Sequence, residues 1–214
     1  MNGTDSICEE MHRAWGRKAP VRIGRDPEHG AAVMIPVLDG PGGPEILFEI
    51  RAGSVRQPGE VCFPGGGIEA GETPRETAVR ETAEELMIRK KQVHVLSPMH
   101  EMAAHGGRTV WSYLAKIEGY GGTFDPEEVA ETFTLPLSLL LSCVPEEYTV
   151  EQVQVRGEDY PYDLIPGGKN YPFRGAKRKA YFYRFEVKGR EVVIWGMTAS
   201  LLHEFLERFR KEFG

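Results

Sequence analysis

"FPGGGIEAGETPRETAVRETAEELMI", residues 63–88, sets six glutamates against two arginines directly behind a run of three glycines. Thr73, followed by Pro74 and three residues on by Glu76, spells a capping box with proline at the first helical position, so a helix begins near Thr73. At the α-helical period Ala78, Val79, Thr82, Ala83 and Leu86 gather on one side, and Glu81, Glu84 and Glu85 on another. Glutamates three and four apart repel by about 0.2–0.5 kcal/mol per pair, and these stand past the first turn, where the helix dipole no longer helps them.

Two readings compete for that face. A charge run is ordinarily a solvated surface, but such a surface prefers lysines interleaved at i,i+4, and this one has none. A bound divalent cation offsets the repulsion directly. Oxygen-rich, sulfur-free sites suit Mg²⁺ or Mn²⁺, which takes a few carboxylates together with substrate phosphate oxygens. Gly65 and Gly66, just upstream, supply a turn whose backbone can approach a ligand closely.

Working outward, "AAVMIPVLDG" and "PEILFEIRAG" read as strands joined by Pro-Gly-Gly turn chemistry, and "QVHVLSPM" and "RTVWSYLAKIEGY" as two more strands beyond the charged helix. "LPLSLLLSC" (135–143) reads as a short buried helix, "YTVEQVQVRG" as a half-exposed strand, and "AYFYRFEV" and "EVVIW" as strands. A terminal helix follows, with Leu201, Leu202, Phe205, Leu206 and Phe209 on one face. Residues 157–177, rich in Gly, Pro and Tyr, form either a functional flap or a turn-rich hairpin. A short helix is expected over residues 5–16. The whole is a mixed α/β chain, read as one domain over residues 1–214.

The 214 residues carry a net charge of −6, which argues against broad nucleic-acid binding, since counterion release needs a basic face. No apolar run reaches membrane-spanning length, and the first twenty residues lack the apolar core of a secretory signal. Cys8, Cys62 and Cys143 are odd in number, widely spaced and without zinc-ligand spacing, so they are read as reduced thiols in a cytoplasmic protein.

Gly66, five residues, Glu72, seven residues, Arg80-Glu81, then Glu84-Glu85 and Ile88 resembles the Nudix box, seven typed positions at fixed spacing over about residues 66–88. Two positions depart from that pattern. Thr82 stands at an aliphatic position, and Met87 stands where the box has glycine, so the helix is expected to leave differently, running on into "RKK". The resemblance implies an α/β/α sandwich with a mixed central sheet and hydrolysis of a nucleoside diphosphate linked to another moiety. It implies that Glu81, Glu84 and Glu85, with the Gly66 carbonyl, hold Mg²⁺ or Mn²⁺, while Glu72 and Arg80 pair to support the loop. The cations would polarise the diphosphate and lower the pKa of the attacking water. Catalytic roles fall to Glu81, Glu85 and Glu128, the general base being Glu81 or a later-loop glutamate, Glu128 or Glu131. His100 and His105 are further base candidates on a neighbouring loop, against a plain loop or core role.

"LFEIRAGSVRQPGEVCFPGG" resembles a segment of the coenzyme A diphosphatases of that family at Leu47, Arg51, Arg56, Gly59 and Phe63 to Gly66, and "IWGMTA" (194–199) resembles their final helix entry. Glu49 stands where that pattern has threonine and Ala52 where it has serine, and the Arg51–Gly59 interval is one residue short. By this resemblance the partner is a small nucleoside diphosphate derivative, coenzyme A favoured. Arg51 and Arg56, with Gly65 and Gly66, would bind substrate, because arginine forks recognise phosphate bidentately. Arg51 simply pairing with a carboxylate is the other reading. ADP-ribose or dinucleotides such as NADH are alternative substrates, and a non-catalytic sensing or partner-binding domain is an alternative of another class. The Arg174–Lys179 cluster reads as charge protecting a strand edge.

Overall fold

The computed structural model describes residues 30–103 and 107–213. The helix expected over 5–16, Cys8 and His105 lie outside the described residues. β1 (Ala31–Gly40) and β2 (Gly43–Arg51) form a hairpin whose turn is Pro41-Gly42, with Gly40 opposite Gly43. β3 (Val61–Cys62) and β4 (Gly65–Gly67) follow, then α1 (Pro74–Glu85), β5 (Val93–Ala103), β6 (Thr109–Ile117) and β7 (Val129–Pro136). β1 runs parallel to β6 and antiparallel to β2 and β4, so the sheet is mixed. Its order is β3-β2-β1-β6-β5, with β4 on β1 and β7 on β2.

β1 is apolar almost without alternation because both of its faces are covered. Val33 and Ile35 join one core with Phe48, Phe63 and the terminal helix α3 (Gly196–Phe213), while Ala32 and Met34 pack with Ala78 of α1 on the other side. The result is a helix, sheet, helix layering. Phe48 anchors the larger core, stacked between Phe63 at 5.0 Å and Phe133 at 5.5 Å. Each such fully buried side chain contributes about 1.5–3 kcal/mol by leaving water. Leu201, Leu202, Phe205 and Leu206 of α3 are buried and Phe209 packs against them, which is the expected face.

A short helix α2 (Leu137–Ser142) leads into a second sheet of β8 (Glu146–Gln152), β9 (Ala176–Val187) and β10 (Arg190–Ile194), in the order β10-β9-β8. β8 was expected to be half-exposed and is exposed nearly throughout, because β9 alone sends Tyr183, Phe185 and Val187 into the core. Residues 157–175 of the expected flap or hairpin lie in the connection between the paired strands β8 and β9, which includes two 3-10 turns, Tyr162–Leu164 and Gly168–Asn170, while Ala176 and Lys177 already belong to β9. Lys177 and Lys179 of the basic cluster do not stand as a bare charged edge. They pair across to Glu151 and Glu147 of β8. Among the described residues no helix is long and apolar enough to cross a membrane.

Candidate metal centre

Local sequence places the helix that carries the carboxylates. Thr73 Oγ1 accepts from the Glu76 N–H, and Glu76 Oε2 accepts from the Thr73 N–H at 2.9 Å, so both halves of the capping box form. Two of the glycines beside it, Gly65 and Gly66, are crowded. A Cβ on Gly65, whose φ is +151°, would lie 2.3 Å from the Ala32 carbonyl oxygen, and one on Gly66 would lie 2.4 Å from Glu81 Oε1. Bare backbone is therefore what lets the loop lie against the helix, and the Gly65 N–H donates to Glu85 Oε2 at 2.7 Å.

Arg80 binds the loop to the helix from the other side. Its Nε and Nη2 donate to the two oxygens of Glu72 at 2.7 and 3.0 Å, and Nη2 also donates to the Gly67 carbonyl at 3.2 Å. Nη1 meets Glu81 Oε1 at 2.9 Å and Glu84 Oε2 at 3.0 Å. Hydrogen bonds from Arg80 first, and from Thr77, hold the Glu72 carboxyl down at about 2. This is a bidentate, charge-assisted clamp, and it orients Glu81 as it braces the loop.

The helix does not run on past the box. It ends at Glu85, with the Met87 N–H bonded to the Glu84 carbonyl at 3.0 Å and the Ile88 N–H to the Ala83 carbonyl at 2.9 Å. That pattern is a Schellman stop, which needs a left-handed residue after the cap, and Met87 supplies it with φ of +51°. Methionine thus holds the conformation that glycine would adopt without strain. The next carbonyls are taken by a later loop: Glu85 O accepts from the Asp125 N–H at 2.8 Å and Leu86 O from Thr123 Oγ1 at 2.7 Å. Docked there, the chain turns over Asp125, whose carboxylate accepts from the Glu127 N–H, and a bulge between Ile50 and Arg51 meets it, with the Ala52 N–H on the Glu128 carbonyl.

This docking brings Glu128 over the helix. Oxygens of Glu81, Glu85 and Glu128 all lie within 4.8 Å of one another. Glu85 is 6% exposed, and burial first, then the carboxylates of Glu81 and Glu128, push its pKa up to about 8 against the Gly65 hydrogen bond. Glu81 is also raised, chiefly by burial, although Arg80 opposes it. A fourth carboxylate, Glu49, is 1% exposed and neither of its oxygens has a hydrogen-bond partner. Burial first, and Glu85 next, hold its pKa well above the usual range. The donors are all hard oxygens, the negative charge is only partly answered, by Arg80 at Glu81, and one buried carboxylate is orphaned, so the residues fit a divalent cation of the Mg²⁺ or Mn²⁺ type.

The other candidates are placed elsewhere. Glu84 lies outside the converging trio, its carboxylate largely exposed and leaning on Arg80. Glu131 is held by Lys188 at 2.8 Å and by Arg190, which keeps its pKa low. His100 sits by Ser112, 3.3 Å from its Oγ, and burial lowers its pKa while Glu204 and Arg208 of α3 act on it, so it belongs to the opposite layer. Arg51 does not pair with a carboxylate among the described residues. Its Nε donates to the Arg56 carbonyl at 2.7 Å and its Nη1 approaches Cys62 Sγ at 3.9 Å. Arg56 itself is exposed on the loop. Sequence reasoning noted Glu49 only as a departure from threonine; the signal it passed over is a charged residue between Phe48 and Ile50 in a strand buried on both faces.

The family model of the NUDIX domain matches residues 28–155. The chain is 28% identical over 196 residues to an uncharacterised Nudix hydrolase, NudL, of Photorhabdus laumondii, covering 88% of this chain and 89% of that protein. It is 30% identical over 156 residues to the peroxisomal coenzyme A diphosphatase of Mus musculus, covering 69% of this chain and 65% of that one. Identity to the mitochondrial coenzyme A diphosphatase of Homo sapiens is 35% over 129 residues, 56% of this chain and 53% of the relative. Among solved structures, the Nudix hydrolase RenU of M. smegmatis aligns with 52% of this chain and 72% of its own at 28% identity and a TM-score of 0.46. The layered sheet, the glycine loop and the carboxylate helix are those of an enzyme acting on phosphorus-containing anhydrides, and the chain belongs to the Nudix hydrolase family. Nudix hydrolases act on nucleoside diphosphate derivatives and generally need divalent metal ions.

Proposed function

We propose that the chain hydrolyses the diphosphate bond of coenzyme A or its acyl derivatives, giving 3′,5′-ADP and 4′-phosphopantetheine or its acyl form, in the cytoplasm and with Mg²⁺ or Mn²⁺. The observation that carries this reading is the convergence of Glu81, Glu85 and Glu128 within 4.8 Å beside an arginine, Arg51, that no carboxylate among the described residues engages. The names of the mouse and human relatives favour coenzyme A over other diphosphates.

Glu81 and Glu85, with the Gly66 carbonyl, would hold the cations, which when bound polarise the diphosphate and acidify the attacking water. Each of these two carboxylates already has one oxygen committed, Glu81 to Arg80 and Glu85 to the Gly65 N–H. Glu128 is exposed and its side chain takes no hydrogen bond among the described residues, so it is the carboxylate left to accept the proton of the water. Arg51, its Nε held by the Arg56 carbonyl and its Nη1 near Cys62 Sγ, would offer Nη2 to a phosphate, and the exposed Arg56 would be available to the 3′-phosphate that coenzyme A carries beyond its diphosphate.

Mass spectrometry of products tests the proposal. The protein is incubated with Mg²⁺ or Mn²⁺ and a mixture of coenzyme A, acetyl-coenzyme A, ADP-ribose and NADH, with Glu85→Gln as control. The expected result is 3′,5′-ADP with 4′-phosphopantetheine, from wild type with metal only. Cleavage of ADP-ribose or NADH alone replaces the substrate and keeps the site. No cleavage of any of them favours a sensing or partner-binding role.

A further inference from the structure

Glu128 is exposed, and bonds to its backbone set its place over the carboxylate helix. The Asp125 N–H fastens its loop to the Glu85 carbonyl at 2.8 Å, and the Asp125 carbonyl accepts from the N–H groups of Glu128 and Val129 at 3.2 and 2.8 Å. Side chains of the loop add to this frame: Thr123 Oγ1 donates to the Leu86 carbonyl at 2.7 Å, and Asp125 Oδ1 accepts from the Glu127 N–H at 2.9 Å. Two further bonds reach in from a distant part of the chain. The Ala52 N–H donates to the Glu128 carbonyl at 2.9 Å, and the Ser54 hydroxyl donates to the Glu127 carbonyl from 73 residues earlier.

Ser54 stands on the loop that also carries Arg51 and Arg56, and that loop is closed on itself. The Arg51 N–H donates to the Glu60 carbonyl and the Gly59 N–H to the Arg51 carbonyl, each at 3.0 Å, while Arg51 Nε crosses to the Arg56 carbonyl at 2.7 Å. Laced in this way, the loop has few means of shifting its arginines without also shifting Ala52 and Ser54. Those two hold successive carbonyls, on Glu128 and Glu127, so the loop's arginines and the Glu128 carboxylate share one hydrogen-bonded frame.

We infer that Ser54 is a positioning residue for Glu128, tying the carboxylate to the loop that meets the substrate's phosphates, given Glu128 as the base and Arg51 as the phosphate contact proposed above. It acts through the Glu127 carbonyl. When its hydroxyl is removed, the main-chain bonds from Ala52 and Asp125 remain, so the loop stays folded and the carboxylate loses only precision. A misplacement of about 1 Å can cost about a hundredfold in rate, and a loosening with those bonds kept should cost less.

A double-mutant cycle tests this. Steady-state kinetics with Mn²⁺ are measured for wild type, Ser54→Ala, Ser54→Thr, Glu128→Gln and the double variant Ser54→Ala with Glu128→Gln. The substrate is coenzyme A, or whichever of acetyl-coenzyme A, ADP-ribose and NADH is cleaved, and circular dichroism verifies folding. Ser54→Ala should lower kcat by on the order of tenfold, with KM, and Mn²⁺ affinity titrated without substrate, held within about twofold. Ser54→Thr, which keeps the hydroxyl, should restore most of the rate. In the Glu128→Gln background Ser54→Ala should cost nothing further, which a merely structural role would not produce. An equal loss in both backgrounds, a rise in KM alone, or an unchanged kcat in Ser54→Ala, while Glu128→Gln is slow, overturns the Ser54 assignment and leaves Glu128 as the base. Wild-type kcat in Glu128→Gln, or cleavage of none of the four compounds, overturns both.

Discussion

On β8 and β9, Glu151 meets Lys177, Glu147 meets Lys179 and Glu146 meets Arg184, each pair exposed and each charge answered across the strands. On the inner face of α1, Glu81, Glu85, Glu128 and Glu49 meet mainly one another, and two of them are buried. Both regions are dense in glutamate, so charge density alone does not distinguish them. The difference is compensation. Surface arrays neutralise themselves and contribute little, whereas a buried array of one sign is a standing cost that only protons or a cation relieve. Arg80 makes the contrast sharper, because it divides its guanidinium between a bidentate clamp on Glu72 and contacts with Glu81 and Glu84, leaving Glu85 and Glu128 without an ion pair among the described residues.

The comparison breaks most visibly at Glu128. Glu128→Gln removes the proposed base and should lower kcat by roughly 10²–10⁴ with folding intact, as steady-state kinetics would show. Glu85→Gln should weaken Mn²⁺ binding by at least about a hundredfold, a ligand being worth more than the groups that orient it. The same variant keeps an acceptor for the Gly65 N–H while losing a buried charge, so its metal-free melting temperature at pH 8 should rise. Calorimetry checks this, and a fall would mean that Glu85 is already compensated.

A smaller effect concerns the helix stop. Met87 is 62% exposed, so Met87→Gly gives up no core packing and relieves a left-handed residue. Denaturant unfolding should show a gain of about 1 kcal/mol, with kcat unchanged. The smallest effect belongs to the self-neutralised array. Lys177→Ala should change stability by no more than about 0.5 kcal/mol and leave kcat alone, and a large loss of either would erase the distinction drawn between the two regions.

The helix start was legible because a capping box is a local code: Thr73, Pro74 and Glu76 specify it without reference to the rest of the chain. Gly65 and Gly66 were legible for a related reason, since glycines just before a helix advertise close backbone approach. Glu128 was reachable only through the family resemblance, because its place depends on the Glu85 and Leu86 carbonyls binding a loop some forty residues on. The exit of α1 was misread, since methionine does not announce a positive φ and the Schellman bonds that impose it come from the finished turn. Glu49 escaped because its burial is created by β3 and β7 closing on either side of β2, a long-range pairing that alternation within one strand does not display.

The central claim, that the buried carboxylates bind a divalent cation, is tested most directly by the melting temperature of the wild-type protein between pH 5 and 8.5, with and without Mn²⁺. Glu85 is raised to about 8 in the fold, so between its ordinary range and that value the folded chain holds more protons than the unfolded one. Metal-free stability should therefore fall as pH rises through this window, with Glu81 acting in the same direction. Added Mn²⁺ should remove the fall and raise the melting temperature more at pH 8 than at pH 5. A metal-free profile that is flat, or a shift by Mn²⁺ that does not grow with pH, would contradict the account.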